Sequence, residues 1–206
     1  MLEILGQSRD PIAVQKHIKK CFEGVKSLKI IPPGPTNKTY EAIYMIAPDT
    51  ETAPFADNVV IDGPVELWLV EVEKAMVRAI GKLLQIAISG YRGKKEKWVK
   101  ETIGQLLITT GSVVWTIDCT KALNAIQSGS KGALKQTKKK QVSYLNKLTG
   151  IIRGQLSKVE RNKVVALITM EIHNRDVMER MVKANCSSVS DFEWLSQLRF
   201  IFDKSG

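Results

Sequence analysis

At 206 residues, with 44% hydrophobic and 25% charged side chains, the chain has enough apolar content for a buried core and falls outside the disordered, collagen-like and disulfide-rich classes. Its net charge of +10 is uneven, because ten Lys or Arg stand against one acid, Glu160, between Lys131 and Lys163. No apolar run approaches the roughly 20 residues needed to cross a bilayer, and Met1-Leu2-Glu3-Ile4-Leu5-Gly6 lacks the basic and apolar regions of a secretory signal, so a location on the cytosolic side is expected.

Asp10-Pro11 offers an N-cap followed by proline at the first helical position, and Gly24 offers a left-handed stop, which predicts a short helix between them. Cys21, Cys119 and Cys186 are too few and too far apart for a disulfide framework, and buried reduced thiols are expected. Pro32-Pro33-Gly34-Pro35 interrupts any regular element. Tyr40–Ala47 and Asn58–Ile61 are rich in branched and aromatic residues and read as strands.

From Gly63-Pro64 to Gly90 the period becomes helical, with Val65, Trp68, Leu69, Val72, Met76, Ala79, Ile80, Leu83 and Ala87 on one stripe. Lys94–Ser128 reads as one or two helices, with a break expected near Gly104 or Ile117. Ser128-Gly129-Ser130 is a linker, and helical spacing resumes from Gly132 to Gln155. Ser157-Lys158-Val159-Glu160 and Ser190-Asp191-Phe192-Glu193 both have the form of a capping box at a helix start. The second predicts a closing helix over Ser190–Asp203, with Leu195 and Leu198 packed inward and Trp194 or Phe202 facing a neighbour. The four tryptophans, Trp68, Trp98, Trp115 and Trp194, sit where they would anchor helix packing.

The fold expected is therefore mainly α: elongated helical bundles with a small β-hairpin or three-stranded patch near residues 27–61. A first domain, 1–62, would hold the short helix and the β element. A second, 63–206, would be a long-helix bundle, and 128–131 is where it would divide into subdomains.

Catalytic, cofactor and metal sites are not expected. His17 and His173 are not part of a Cys, Asp or Glu set with the spacing that a closed zinc or open catalytic site requires, and His173 is read as a hydrogen-bonded structural residue. Gly90-Tyr91-Arg92-Gly93-Lys94-Lys95 and Gly129-Ser130-Lys131-Gly132 miss the spacing of a phosphate loop. Lys131, Lys135, Lys138, Lys139 and Lys140 form a candidate basic patch, although three consecutive helical lysines point in different directions. Tyr144 alone supplies an aromatic there, which argues against nucleic acid as a partner.

Four stretches together resemble the linker region of dynein heavy chains: Met1-Leu2-Glu3-Ile4-Leu5-Gly6-Gln7-Ser8-Arg9-Asp10-Pro11, Val65-Glu66-Leu67-Trp68-Leu69-Val70-Glu71-Val72-Glu73, His173-Asn174-Arg175-Asp176-Val177, and Asp191-Phe192-Glu193-Trp194-Leu195-Ser196-Gln197-Leu198-Arg199-Phe200. The His-Asn-Arg-Asp stretch and Lys97-Trp98 are similar to axonemal dyneins of cilia and flagella more than to the cytoplasmic transport motor. Thr102-Ile103-Gly104-Gln105 and Phe200-Ile201-Phe202-Asp203 depart from the family pattern.

The resemblance implies the ring-proximal half of a rod whose bending and straightening across an AAA ring drives movement along microtubules. Nucleotide sites, stalk and microtubule-binding domain would lie beyond Gly206. Its partners would be the ring and the remaining linker of the same heavy chain, with other dynein subunits and microtubules reached indirectly and no membrane or cofactor. Trp194, Arg199 and Phe202 are the candidate ring contacts. The competing reading is an independent basic helical module that binds nucleic acid or acidic tubulin tails.

Overall fold

The computed structural model describes residues 10–35 and 37–203; the stretch Met1–Arg9, which carries part of the resemblance, lies outside the described residues. Among them are seven helices and one three-stranded antiparallel sheet. The chain divides into two units, Met1–Ile86 and Ala87–Gly206.

In the first unit, α1 (Pro11–Cys21) starts where the sequence places it. Asp10 Oδ1 accepts from the Ile12 amide at 2.9 Å, and Pro11 occupies the first turn. The helix buries Val14, His17 and Ile18. Gln15 fastens it to the sheet through a two-way bond with Leu28, its Nε2 donating to the carbonyl and its Oε1 accepting from the amide, each at 3.0 Å. Cys21 was expected to be buried but is exposed, since it sits in the last turn beyond the buried residues.

The strands β1 (Ser27–Ile31), β2 (Tyr40–Ile46) and β3 (Thr52–Ile61) lie in the order β1-β2-β3. β3 begins well before the predicted Asn58 and runs through Pro54, which pairs with Tyr44. An edge strand can spare the amide that proline lacks, whereas a central one cannot. Register shifts between Lys29 and Ile30 and between Ala42 and Tyr44 interrupt both ladders. Leu28, Ala42, Met45, Phe55, Val59 and Ile61 are buried.

Next comes α2 (Val65–Gly90), 26 residues and so about 39 Å long at 1.5 Å per residue. Val65, Trp68, Val72, Ala75 and Ala79 are buried along one stripe, while Ile80, assigned to that stripe from the sequence, is exposed. The division between units falls inside this helix.

The second unit contains α3 (Lys95–Glu101), α4 (Gly104–Gln127), α5 (Ala133–Ile152), α6 (Lys158–Lys183) and α7 (Phe192–Leu195). The predicted break falls at Thr102-Ile103, and α4 then runs unbroken through Gly111 and Ile117. Its threonines do not disrupt it, because the hydroxyls of Thr109, Thr116 and Thr120 donate to the carbonyls four residues back at 2.8–2.9 Å. The box at the start of α6 forms as predicted: the Glu160 amide donates to Ser157 Oγ at 3.2 Å, and the Ser157 amide donates to Glu160 Oε2 at 2.8 Å.

The second predicted box does not form, and the closing helix is four residues long rather than fourteen. Asp191 turns its carboxylate backwards to the amides of Ser187 (2.7 Å) and Ser188 (3.0 Å). Beyond α7 the Phe200 amide donates to Thr116 Oγ1 on α4 at 3.2 Å. Local capping signals are thus overridden by three bonds that commit the flanking chain elsewhere.

Helices α4, α5 and α6 pack on one another around two apolar clusters. One gathers Trp115, Cys119, Leu123, Leu134, Met178, Met181 and Trp194. The other gathers Trp98, Val99, Leu107, Tyr144, Leu148, Val164 and Leu167.

Candidate functional site

Between those clusters each of the three helices contributes polar residues: Thr110 and Ser112, on either side of Gly111, from α4, Gln141 from α5, Glu171 and Asn174 from α6. Thr110, Ser112, Glu171 and Asn174 are buried. Glu171 organises the layer. Gln141 Nε2 and Asn174 Nδ2 both donate to its Oε2, the latter at 3.3 Å. Burial raises its pKa, and the bonds from Asn174 and Gln141 and the charge of Lys95 only partly oppose that. Its Oε1 has no hydrogen-bond partner among the described residues and points at Gly111, where a Cβ would stand 2.9 Å away. A Cβ at 111 would force the Glu171 carboxylate to shift, and its bonds from Gln141 and Asn174 oppose that movement. The sequence alone had made Gly111 look like a weakness in the helix.

Beside this layer, Lys95 at the start of α3 lies in an aromatic cage. Its Nζ is 3.3 Å from the centroid of the Tyr91 ring, 5.0 Å from Tyr144 and 5.2 Å from Trp98. The rings support each other edge to face: Tyr91 to Trp98 at 5.2 Å, Tyr91 to Tyr144 at 5.7 Å. Trp98 Nε1 donates to the Ala87 carbonyl at 2.9 Å. Among the described residues the ammonium has no hydrogen-bond acceptor, so the π faces and the field of Glu171 supply its compensation. Desolvation brings its pKa down to about 8, with Glu171 pulling the other way. Burial pushes the phenols of Tyr91 and Tyr144 well above their usual range.

A third tie comes from Lys163 of α6, whose Nζ donates to the carbonyls of Thr102 (2.9 Å) and Lys100 (3.2 Å). It caps the carboxyl end of α3 with a cation, where the helix dipole favours one. Cage and cap together clamp both ends of α3 onto the bundle. This is an arrangement for holding elements in fixed positions.

The basic patch is less of a patch than its sequence suggests. Lys131, Lys135, Lys139 and Lys140 are exposed, whereas Lys138 is half-buried and sits 3.5 Å from Glu179, which also pairs with Lys183 at 3.3 Å. The three candidate contacts at the carboxyl end separate likewise. Trp194 is 1% exposed and packs on Trp115 with ring centroids 5.4 Å apart. As core it is withdrawn from any partner of this fold. Arg199 is exposed and lies over Trp194, 5.9 Å from its ring; Phe202 is half-buried. Leu195 and Leu198, expected to pack inward, are exposed together with Phe192 and Ile201. His173 is exposed as well.

The sequence reading missed Lys95 and Glu171. The signal for Glu171 was its spacing: with Val164, Leu167, Asn174 and Met178 it lies on the one buried face of α6. A charge on an apolar stripe is buried by the same geometry as its neighbours.

A family model described as dynein heavy chain, N-terminal region 2, matches residues 1–87. The dynein-1-beta heavy chain of the flagellar inner arm I1 complex of Chlamydomonas reinhardtii is 52% identical over 205 residues, 99% of this chain and 4% of that protein. Dynein axonemal heavy chain 2 of Homo sapiens is 47% identical over 208 residues, 99% of this chain and 5% of its own. The chain belongs to the dynein heavy-chain family. Human dynein axonemal heavy chain 6, 34% identical over 218 residues and covering 98% of this chain, shows that the likeness to axonemal dyneins continues at lower identity. This chain is matched almost end to end by the dynein relatives, and it spans only 4 to 5% of their own length.

Proposed function

We propose that this dynein segment is a non-catalytic lever element: the ring-proximal half of the linker, which carries an ATP-driven change in the ring to the rest of an axonemal motor. The observation that carries the reading is the clamped bundle of the second unit within a chain that aligns throughout with axonemal heavy chains. A lever must deliver displacement without deforming. Close-packed helices whose register is fixed by a buried hydrogen-bonded layer meet that demand better than an all-apolar core that can slide.

The partners under this reading are the ring and remaining linker of the same heavy chain, with microtubules and other subunits reached through them, and the setting is the cytoskeleton of a cilium or flagellum. Contact with the ring falls to Arg199, Phe202 and the exposed Phe192, Leu198 and Ile201. The relatives leave the competing reading, a free-standing basic module, without support.

A motor bearing Leu148→Ala tests the lever. Opening a cavity at this fully buried residue of α5 should soften the bundle by about 2–5 kcal/mol. Gliding velocity is then expected to fall while the ATPase rate of the ring holds. Equal loss of both would mean that the segment serves the nucleotide cycle itself, and the lever reading would fail.

A further inference from the structure

Helix α5 carries no acidic residue in its 20 positions. The half-buried Lys138 finds a carboxylate on a neighbouring helix, Glu179 of α6, at 3.5 Å. Its outer lysines do not. Lys135, Lys139, Lys140 and Lys147 are exposed, and at about 3.6 residues per turn they fall within one outward arc, with the exposed Gln136, Ser143 and Asn146 between them. Among the described residues none of the four takes part in an ion pair.

This arrangement works against the helix that bears it. Lys135 and Lys139 are like charges one turn apart, and Lys135 stands in the first turn, which holds no acid and where the helix dipole disfavours a cation. The face also lacks what a permanent interface buries. Val142, 38% exposed, is the one large apolar side chain exposed on α5 among the described residues, so a partner here is held by charge. Such contacts are weak and screened by salt, the character of an encounter between separate polypeptides that forms and breaks.

We infer that the outer face of α5 binds an acidic, extended segment of another polypeptide. Lys135 to Lys147 spans about 18 Å of helix, which about five or six residues of extended chain cover at about 3.3 Å each. A nucleic acid fits less well, because Tyr144, the aromatic residue of α5, is buried and leaves no ring on this face for a base to stack on. A membrane surface calls for several apolar side chains beside the lysines, where α5 offers Val142. The inference rests on α5 itself and stands apart from the lever reading.

The test uses the full heavy chain in its native assembly. A water-soluble carbodiimide, which joins an amine to a carboxylate in contact with it and leaves no spacer, is applied, and the linked peptides are identified by mass spectrometry. The expected result is a link from Lys135, Lys139, Lys140 or Lys147 to Asp or Glu of a different polypeptide, its yield falling by about tenfold or more between about 0.05 M and about 0.5 M salt. Lys139→Gln combined with Lys140→Gln should release that polypeptide, whereas Lys138→Gln, on the inner side of the helix, should not. Links confined to the heavy chain, a yield indifferent to salt, or equal release by Lys138→Gln would overturn the inference. So would the absence of any link, and if nuclease or detergent alone then opens these lysines to acetylation, the face belongs to nucleic acid or lipid.

Discussion

The two apolar clusters of the second unit are held by the same three helices, yet they solve different problems. Around Trp115 and Trp194 the cluster is dry: aromatic, aliphatic and sulfur side chains, with Cys119 raised well above its usual pKa by burial. Around Trp98 and Tyr144 the cluster admits an ammonium, because three π faces replace the water that Lys95 gives up. Glu171 lies between them and belongs to neither. The dry cluster supplies stability by apolar burial, with Cys119 as its thiol that must stay protonated, whereas the caged one fixes the position of α3 through a charge whose value depends on its surroundings.

The contrast is broken most forcefully at Trp194. Trp194→Ala should cost about 3–5 kcal/mol by opening a cavity against Trp115 and freeing α7, read from the shift of a urea melt. A loss near that of a surface substitution would show that the dry cluster is not what holds the carboxyl end.

Gly111→Ala comes next. Helix propensity alone predicts a gain of about 1 kcal/mol, but overpacking against Glu171 should outweigh it and leave a net loss of about 1–3 kcal/mol. The same change in a Glu171→Ala background should cost less, and equal costs in the two backgrounds would show that carboxylate and glycine are not coupled.

Lys95 gives a smaller and pH-dependent effect. Its folded pKa, about 8, is below the ordinary 10.5, so between those values the unfolded chain binds more protons than the folded one. The Lys95 contribution to stability should rise as pH increases from about 8 towards 10.5. It is opposed by Cys119, Tyr91 and Tyr144, whose raised pKa values take stability away as pH climbs, so it is read as the difference between the wild-type and Lys95→Met profiles. Glu171 has the opposite sense: its raised pKa means that stability is lost as pH climbs from the ordinary carboxylate range through the folded value. Lys95→Met should abolish the alkaline rise and leave the acid-side change in place. A rise that survives in Lys95→Met would assign it to another group.

Leu198→Ser is the smallest expected effect. The residue is 79% exposed, and the change should stay within about 0.5 kcal/mol. A large loss in the thermal melt would restore the inward-facing helix that the sequence predicts.

Much of the architecture was legible because it rests on local signals. Asp10-Pro11 and the Ser157 capping box each act over a few residues and appear where expected, and the stripe from Val65 to Ala87, a repeat of three or four residues, holds except at Ile80, which is exposed. The early start of β3 was hidden by Pro54, whose tolerance depends on the strand being at an edge. The closing helix failed because Asp191 and Phe200 are bound by partners that local pattern does not show. The cage and the polar layer were invisible for a related reason. Lys95 and Glu171 stand 76 residues apart on different helices, and each reads by itself as one more solvated charge.

The central claim is that the second unit moves as a body while its interior stays fixed. Energy transfer in the full motor can measure both at once, with one dye pair at Lys139 and Ser187, exposed positions in the second unit, and another between Lys139 and the ring. The account predicts that ATP changes the distance from Lys139 to the ring and leaves the internal distance constant. A nucleotide-dependent internal distance beside a fixed distance to the ring would contradict it.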